Sequence, residues 1–450
     1  MLKKIWIPGH PLVLLAFTAL LVVSCKERQS VENPSVPARS TMLQSGDLAA
    51  HQVIHKDGKF NILVSKGSEE QAVQYLKDIK GEPHLRSFEG NFVDPDGKPA
   101  SDLDALLHYI GQGEVSARQL EQLPSATLGT MGYQATRFFA PKIVDVSAIS
   151  GRLYGWRKVV RLEIRDGSGA KTDGMKALWV LFNYLDKSTS FPPLTQDAVA
   201  VQAILERRLD QRGTPNEALP LYFFVYAPYA AKYEIGLSLS GSFDAGVGPP
   251  EDKYYLPHAC AECHGSAKND SGLTKSKINY LDTDHWFDRV QQNDDFPEVP
   301  SANVLPDGGA PGASFDTAFG VIRSLNAAIQ EQNRAVGGDG DDNFQLRAVT
   351  KWSELHKSDS SHKGPFSRSL GESGWQADKI PDKELLPMLN QYCFRCHSSL
   401  KYHVFDKQAV VRLKGAIKYF VGASGPEKMP QDRTLDVGTK ERFLNLIDQL

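Results

Sequence analysis

The chain has 450 residues, of which 41% are apolar, and a formal net charge of -3. That length and apolar content allow two or three globular cores and exclude a wholly disordered chain, while the near-neutral charge gives no electrostatic ground for a nucleic-acid partner. Only five cysteines are present, too few for a disulfide scaffold of this size.

The N-terminus opens with Lys3 and Lys4, followed by the apolar run LVLLAFTALLVV and then Ser24 and Cys25. Twelve residues in a helix reach only about 18 Å against a hydrocarbon core of roughly 30 Å, so residues 1–24 read as a secretory signal and not as a membrane span. The sequence Val22-Val23-Ser24-Cys25 resembles the bacterial lipobox, which implies cleavage that leaves Cys25 as a lipid-bearing first residue. An ordinary cleavage site containing a cysteine is the alternative. Lys26 stands where an Asp would signal retention, so the resemblance implies a lipoprotein on the periplasmic or cell-surface side, in the outer membrane of a Gram-negative bacterium. Residues 25–45 are polar and rich in Ser and Pro, a flexible tether between lipid and folded body.

Residues 46–245 contain no cysteine and no assignable motif, and their role is open. EEQAVQYLKDI and LDALLHYI have helical periodicity. KVVRLEIRD and ALWVLFNYL, separated by the turn-rich GSGAKTDG, predict a β-hairpin, and LPLYFFVYAP predicts a third strand. These patterns predict an α+β N-terminal domain. His51 and His55 have the i, i+4 spacing with which a helix binds a metal, although beside a tether they read as solvent-facing. Further on, VLPDGGAPGASFD and GGDGDDN read as loops. The latter spaces its acids in alternation but lacks the closing glutamate of an EF-hand, so a solvated turn is expected over a calcium site.

Two motifs carry chemistry: HACAECHGS over 258–266 and QYCFRCHSS over 391–399. With Cys25 assigned to lipid, every remaining cysteine lies in a CxxCH, as Cys260 with Cys263 and Cys393 with Cys396. A thioredoxin-like dithiol gives no reason for a histidine at the next position twice. A shared zinc site needs ligands about 130 residues apart in sequence, far more than a compact zinc module spans. Covalent haem attachment explains every position: each thiol adds across a porphyrin vinyl group, and the adjacent histidine, His264 or His397, ligates iron from the proximal side. The expected cofactors are two covalently bound haem c groups.

The chain thereby resembles the c-type cytochromes, and the part after residue 378 resembles a compact class I cytochrome c. Leu385, Leu389, Tyr392 and Cys396 recur at helical spacing, with Pro387 marking a late start or a kink. Ala409, Val410, Leu413, Ile417 and Phe420 mark a second helix ended by Gly422, and Phe443, Ile447 and Leu450 a third. In GPEKMPQD, Met429 sits in a Pro- and Gly-rich loop 32 residues after His397, and the resemblance implies that it is the sixth ligand of the second haem. His403 is too near His397 in sequence to serve the opposite face. The fold expected overall is the α+β domain followed by mainly α, cytochrome c-like regions: residues 246–375 as a first haem region and residues 376–450 as a class I-like domain.

No methionine lies between His264 and Met388, so the first haem lacks the usual downstream thioether. His285, in YLDTDHW amid Tyr280, Trp286 and Phe287, is the leading axial candidate, with His356 and His362 next and an open site as a further option. Met131 and Met175 belong to the N-terminal domain, and nothing in the sequence directs them to the iron. Two unequally ligated haems on a lipid anchor read as an electron-transfer protein serving redox partners. Residues 379–450 carry 12 Lys or Arg against 8 Asp or Glu, a charge suited to an acidic docking partner. The alternative is a dihaem peroxidase or oxygenase in which the second haem feeds a catalytic first haem. The order of the motifs resembles the bacterial dihaem cytochrome c peroxidases, yet the residues around the first motif depart from that pattern and no catalytic side chain is assigned. A third class, in which the N-terminal domain binds a ligand or partner served by the haems, stays open.

Overall fold

The computed structural model describes residues 51–56, 59–64, 67–123, 132–140, 155–164, 174–184, 198–209, 219–229, 232–238, 255–264, 272–281, 315–337, 344–356, 374–376, 378–393, 404–424, 429–430 and 435–450. The signal, the tether with Cys25, Met131, His285, His362, Cys396, His397 and His403 lie outside them, as does GGDGDDN apart from Gly337.

Strands β1 (His51–Lys56) and β2 (Lys59–Val64) form an antiparallel hairpin. This corrects the helical reading of His51 and His55. In a strand rising ~3.3 Å per residue their Cα atoms lie about 13 Å apart, twice the separation of a helical i, i+4 pair.

Helix α1 (Glu69–Gly81) starts where the Ser68 hydroxyl accepts from Gln71 N–H at 3.2 Å, and Glu69 and Glu70 favour its first turn. Ala72, Tyr75, Leu76 and Ile79 form its buried stripe. Helix α2 (Leu103–Tyr109) is capped by Asp102, and α3 (Ala117–Gln122) by a reciprocal capping box of Ser116 and Gln119.

These helices cover one face of a six-stranded antiparallel sheet whose strands run in chain order: β3 (Tyr133–Ala140), β4 (Gly155–Glu163), β5 (Met175–Tyr184), β6 (Ala200–Arg207), β7 (Leu221–Tyr229) and β8 (Lys232–Gly236). The expected hairpin is β4–β5, with Val160 opposite Val180. LPLYFFVYAP contains β7, but β6 separates it from β5. The α+β reading holds for this part of the chain.

Side-chain alternation gives the sheet two unlike faces. One carries the rank Val160, Val180, Ala203 and Phe224, all buried, against α1 to α3. Among its buried polar groups, one network centres on Glu121. Glu121 of α3 accepts from Tyr184 Oη and, at 2.8 Å, from Tyr233 Oη, with Arg118 Nη1 at 3.2 Å. Lys158 Nζ donates to the carbonyls of Glu121 and Leu123, closing the end of α3. The opposite face carries the rank Gln134, Arg161, Trp179, Ile204 and Phe223. Buried polar groups are frequent there, and later elements cover it.

Helix α4 (His258–His264), a 3-10 turn at Gly272–Lys275, α5 (Phe315–Val336) and α6 (Phe344–Leu355) follow. Gln134 Nε2 donates to Ser324 Oγ of α5, and Lys176 of β5 reaches Glu331 of α5 at 3.0 Å and Glu206 of β6 at 3.3 Å. Leu256, Ile278, Ile322, Leu325, Val349 and Trp352 belong to the same hydrophobic core as α1 and the sheet. Residues on both sides of the boundary expected at 245/246 therefore share one core. No described helix is long and apolar enough to cross a membrane.

A second core is helical. It joins α7 (Asp382–Tyr392), α8 (Lys407–Gly422) and α9 (Val437–Asp448) through Leu385, Leu389, Val410, Phe443 and Ile447. These are the three helices expected, with Pro387 inside α7 and Gly422 ending α8. Buried Asp382 ties the α7 start to two neighbours, accepting from Gln376 N–H at 2.8 Å and Lys407 Nζ at 2.7 Å, while Trp375 Nε1 donates to the Phe405 carbonyl at 2.7 Å.

Glu121→Leu leaves two buried tyrosine hydroxyls without their acceptor and removes the carboxylate that lies 3.2 Å from Arg118 Nη1. Breaking such a buried network costs about 3 kcal/mol or more, which outweighs the added apolar contact. Urea unfolding should show that loss, with a smaller one for Glu121→Gln, which keeps an acceptor oxygen; equal midpoints for Glu121→Leu and the native protein would contradict this account.

Candidate haem-binding sites

The first motif is launched from the sheet. Leu256 N–H bonds the Leu237 carbonyl at 2.9 Å and Tyr255 bridges Ser238, so the end of β8 sets the start of α4. Within α4 the amides of Ala259, Cys260 and Ala261 bond the carbonyls of Tyr255, Pro257 and Pro257 at 2.9, 3.0 and 2.9 Å. A helix brings positions i, i+3 and i+4 to one side, so the backbone presents positions 260, 263 and 264 together. Cys260 is partly buried and packs at the edge of the sheet core.

His264 is fixed on two sides. Its ring lies against Phe223 of β7, centroids 5.1 Å apart. Lys277 holds it through both backbone groups: its N–H donates to the His264 carbonyl at 2.8 Å, and its carbonyl lies 2.8 Å from His264 Nδ1. A carbonyl only accepts, so Nδ1 carries the proton and Nε2 keeps its lone pair. Burial pushes the imidazole down from 6.5 to about 4; the Lys277 bond opposes this and the charge of Arg157 adds to it. A neutral histidine, oriented through Nδ1 and basic at Nε2, is the form that ligates a metal.

Around it stand residues to which the motif gives no clue. Tyr75 Oη bridges the Phe223 backbone, 2.9 Å from its N–H and 3.2 Å from its carbonyl oxygen. His258 is buried, and its ring lies so close to Gly67 that a Cβ built there would stand 2.6 Å from Nδ1. Gly67, at φ 68°, has a second reason to be glycine. The segment after Lys277 is pinned to α5: Ile278 N–H donates to Asn333 Oδ1 at 3.0 Å and Leu281 N–H to Asn326 Oδ1 at 2.7 Å.

Of the expected axial candidates, His285 and His362 lie outside the described residues. His356 is buried just beyond the α6 C-terminus, its ring 4.6 Å from Trp352, in the region of the sheet core. Met175 is fully buried at the start of β5.

At the second motif, Cys393 follows α7 directly, its N–H bonded to the Leu389 carbonyl at 2.9 Å. Met429 is far off in sequence but packs, like Cys393, against the helical core, and its N–H bonds the Phe420 carbonyl at the α8 end at 2.8 Å. The thiol and the thioether expected for the second haem thus face one cluster. Comparison with known proteins finds no matching family model, no matching curated protein and no matching solved structure.

The depressed His264 pKa has a measurable sign. Below about pH 6.5 the unfolded chain takes up this proton first, so the contribution to stability is complete above that pH and is lost progressively as pH falls toward 4. In a Cys260→Ala/Cys263→Ala protein, which would lack the first haem, urea midpoints should fall through that window, and a further His264→Gln should flatten the fall. An identical fall in both backgrounds would assign it to other groups.

Proposed function

We propose that the chain is an exported, lipid-anchored dihaem c-type cytochrome that transfers electrons between redox partners. The observation that carries this reading is the placing of the two motifs. The first cysteine of each packs on a hydrophobic core of its own, and at the second motif Met429 joins Cys393 on that core. A buried apolar cluster beside an attachment cysteine, here Cys260 on one core and Cys393 on the other, is what a porphyrin needs to keep its iron dry.

The residues fit their roles. Cys260 and Cys263, and Cys393 and Cys396, would hold the two porphyrins as thioethers, and His264 and His397 would ligate the irons. His264 meets this with a protonated Nδ1 held by the Lys277 carbonyl, which fixes the ring plane and leaves the Nε2 lone pair for a metal. Haem iron, when bound, supplies the one-electron chemistry; the chain supplies ligands, orientation and a water-poor surround. Met429, tethered to the end of α8, would be the sixth ligand of the second haem, and thioether ligation raises a potential relative to histidine ligation. Cys25 would carry the lipid, and the basic surplus of residues 379–450 would favour an acidic partner.

The mature protein should retain two haems per chain after acid-acetone extraction, and Met429→Ala should abolish the weak near-infrared band of Met-ligated ferric haem and lower one of two potentials. Zinc in place of iron would overturn the reading; an unchanged near-infrared spectrum would remove Met429 from the iron.

A further inference from the structure

The sheet face turned toward α4 and α5 is polar where a buried face is ordinarily apolar. Across its middle runs the rank Gln134, Arg161, Trp179, Ile204 and Phe223; the next rank holds Thr136, Val159, Leu181, Gln202 and Val225; the rank beyond holds Phe138, Arg157, Asn183 and Ala200. Of the acids of this face, Glu163 and Glu206 fall on the other side of the middle rank, where Glu206 meets Lys176 and Trp179 Nε1, and Glu234 stands at the β8 edge, opposite Ala227 and bridged to Asp102. From β3 to β7 the described strand residues of the half bearing Thr136 and Arg157 are cationic or neutral.

Two of its groups are buried with bonding capacity to spare. Thr136 is fully buried and its hydroxyl has no hydrogen-bond partner among the described residues. Arg161 is 3% exposed; its Nη1 lies 3.4 Å from Gln134 Oε1 and 3.7 Å from Glu163 Oε1, its guanidinium sits 5.4 Å over the Trp179 ring, and its Nε has no partner among the described residues. Thr136 pairs with Val159, so it stands diagonal to both Arg157 and Arg161. Arg157 is set by a device of its own. Asn183, fully buried, donates its amide hydrogens to the Leu181 and Ala200 carbonyls at 3.3 and 3.1 Å, and its oxygen accepts from Arg157 Nε at 2.8 Å. An amide buried inside a strand is costly, and this one holds a guanidinium in place.

We propose that Arg157, Arg161 and Thr136 form an anion notch that holds a propionate carboxylate of the first haem. The inference rests on reading Cys260 to His264 as a haem site. His264 lies against Phe223, which shares a rank with Arg161 three inter-strand steps away, about 14 Å between Cα atoms. A porphyrin ligated at His264 and extending over this face carries its carboxylates toward β3 and β4, where two guanidinium forks and a hydroxyl donor meet them. The electrostatic reach of Arg157 to His264 agrees with that placing. Paired there, the carboxylate stays ionised, and the nearby cations favour ferrous over ferric iron.

The test uses the mature dihaem protein. Spectroelectrochemical titration across the carboxylate range should show a first-haem potential insensitive to pH. In Arg157→Gln/Arg161→Gln the carboxylate loses its counter-charges, so that potential should fall and become pH-dependent, while the Met429-ligated haem stays unchanged. Thr136→Val preserves shape and removes only the hydroxyl; it should shift the same potential in the same direction by less, and it serves if the double variant fails to fold. An unchanged first-haem potential and pH slope in Thr136→Val, and in the double variant where it folds with both haems, overturns the notch but leaves the haem assignment standing. A shift on adding nitrate to the native protein overturns it in favour of an external oxyanion. A haemochrome assay that finds no haem at Cys260 and Cys263 removes both readings.

Discussion

A sheet covered on both sides must satisfy two surfaces, and here the two bury different polar groups among their apolar ones. One presents Val160, Val180, Ala203 and Phe224 to three short helices, and ordinary apolar burial holds it, at ~25 cal/mol per Å² removed from water. The other presents arginines, amides, a threonine and an indole, groups that lose free energy when buried unless each finds a partner. What covers that second face must therefore be polar where it touches. Ser324 meets Gln134, Glu331 meets Lys176, and the CxxCH helix brings His264 against Phe223. Described residues on both sides of position 245 consequently form one body around one core.

The second core obeys a simpler rule. Three amphipathic helices close on each other through Leu385, Leu389, Val410, Phe443 and Ile447, and both Cys393 and Met429 touch the cluster they make. Among the described residues its deeply buried acid is Asp382, which accepts from Lys407 and the Gln376 amide and so joins helix ends. The contrast is between a core with a buried polar sheet face, on which Cys260 packs, and an apolar helical cluster that both Cys393 and Met429 touch.

What was legible in the sequence follows from how local each signal is. Helices α7, α8 and α9 and the β4–β5 hairpin announce themselves by periodicity and turn residues, and the cysteines by arithmetic. AVQAILER was silent because Ala, Leu, Glu and Arg favour a helix; only pairing between β5 and β7 makes it a strand. Helix α5 did carry a stripe, Ile322, Leu325 and Ile329, but it follows a Gly- and Pro-rich stretch that masks its start. His51 and His55 misled because a spacing of four has no meaning until the backbone period is known. At the site, the partner of His264 is the Lys277 backbone, to which no side-chain pattern points. Phe223, Arg157, Arg161 and Thr136 come together only through strand register, a property of the whole sheet.

The central claim, one iron on each core, is tested most directly by anomalous diffraction at the iron edge from crystals of the mature protein. The account predicts two iron peaks, one within bonding reach of His264 Nε2 on the polar side of the sheet and one between His397 and Met429. A single peak, or a zinc-edge signal shared by the two cysteine pairs, would contradict it.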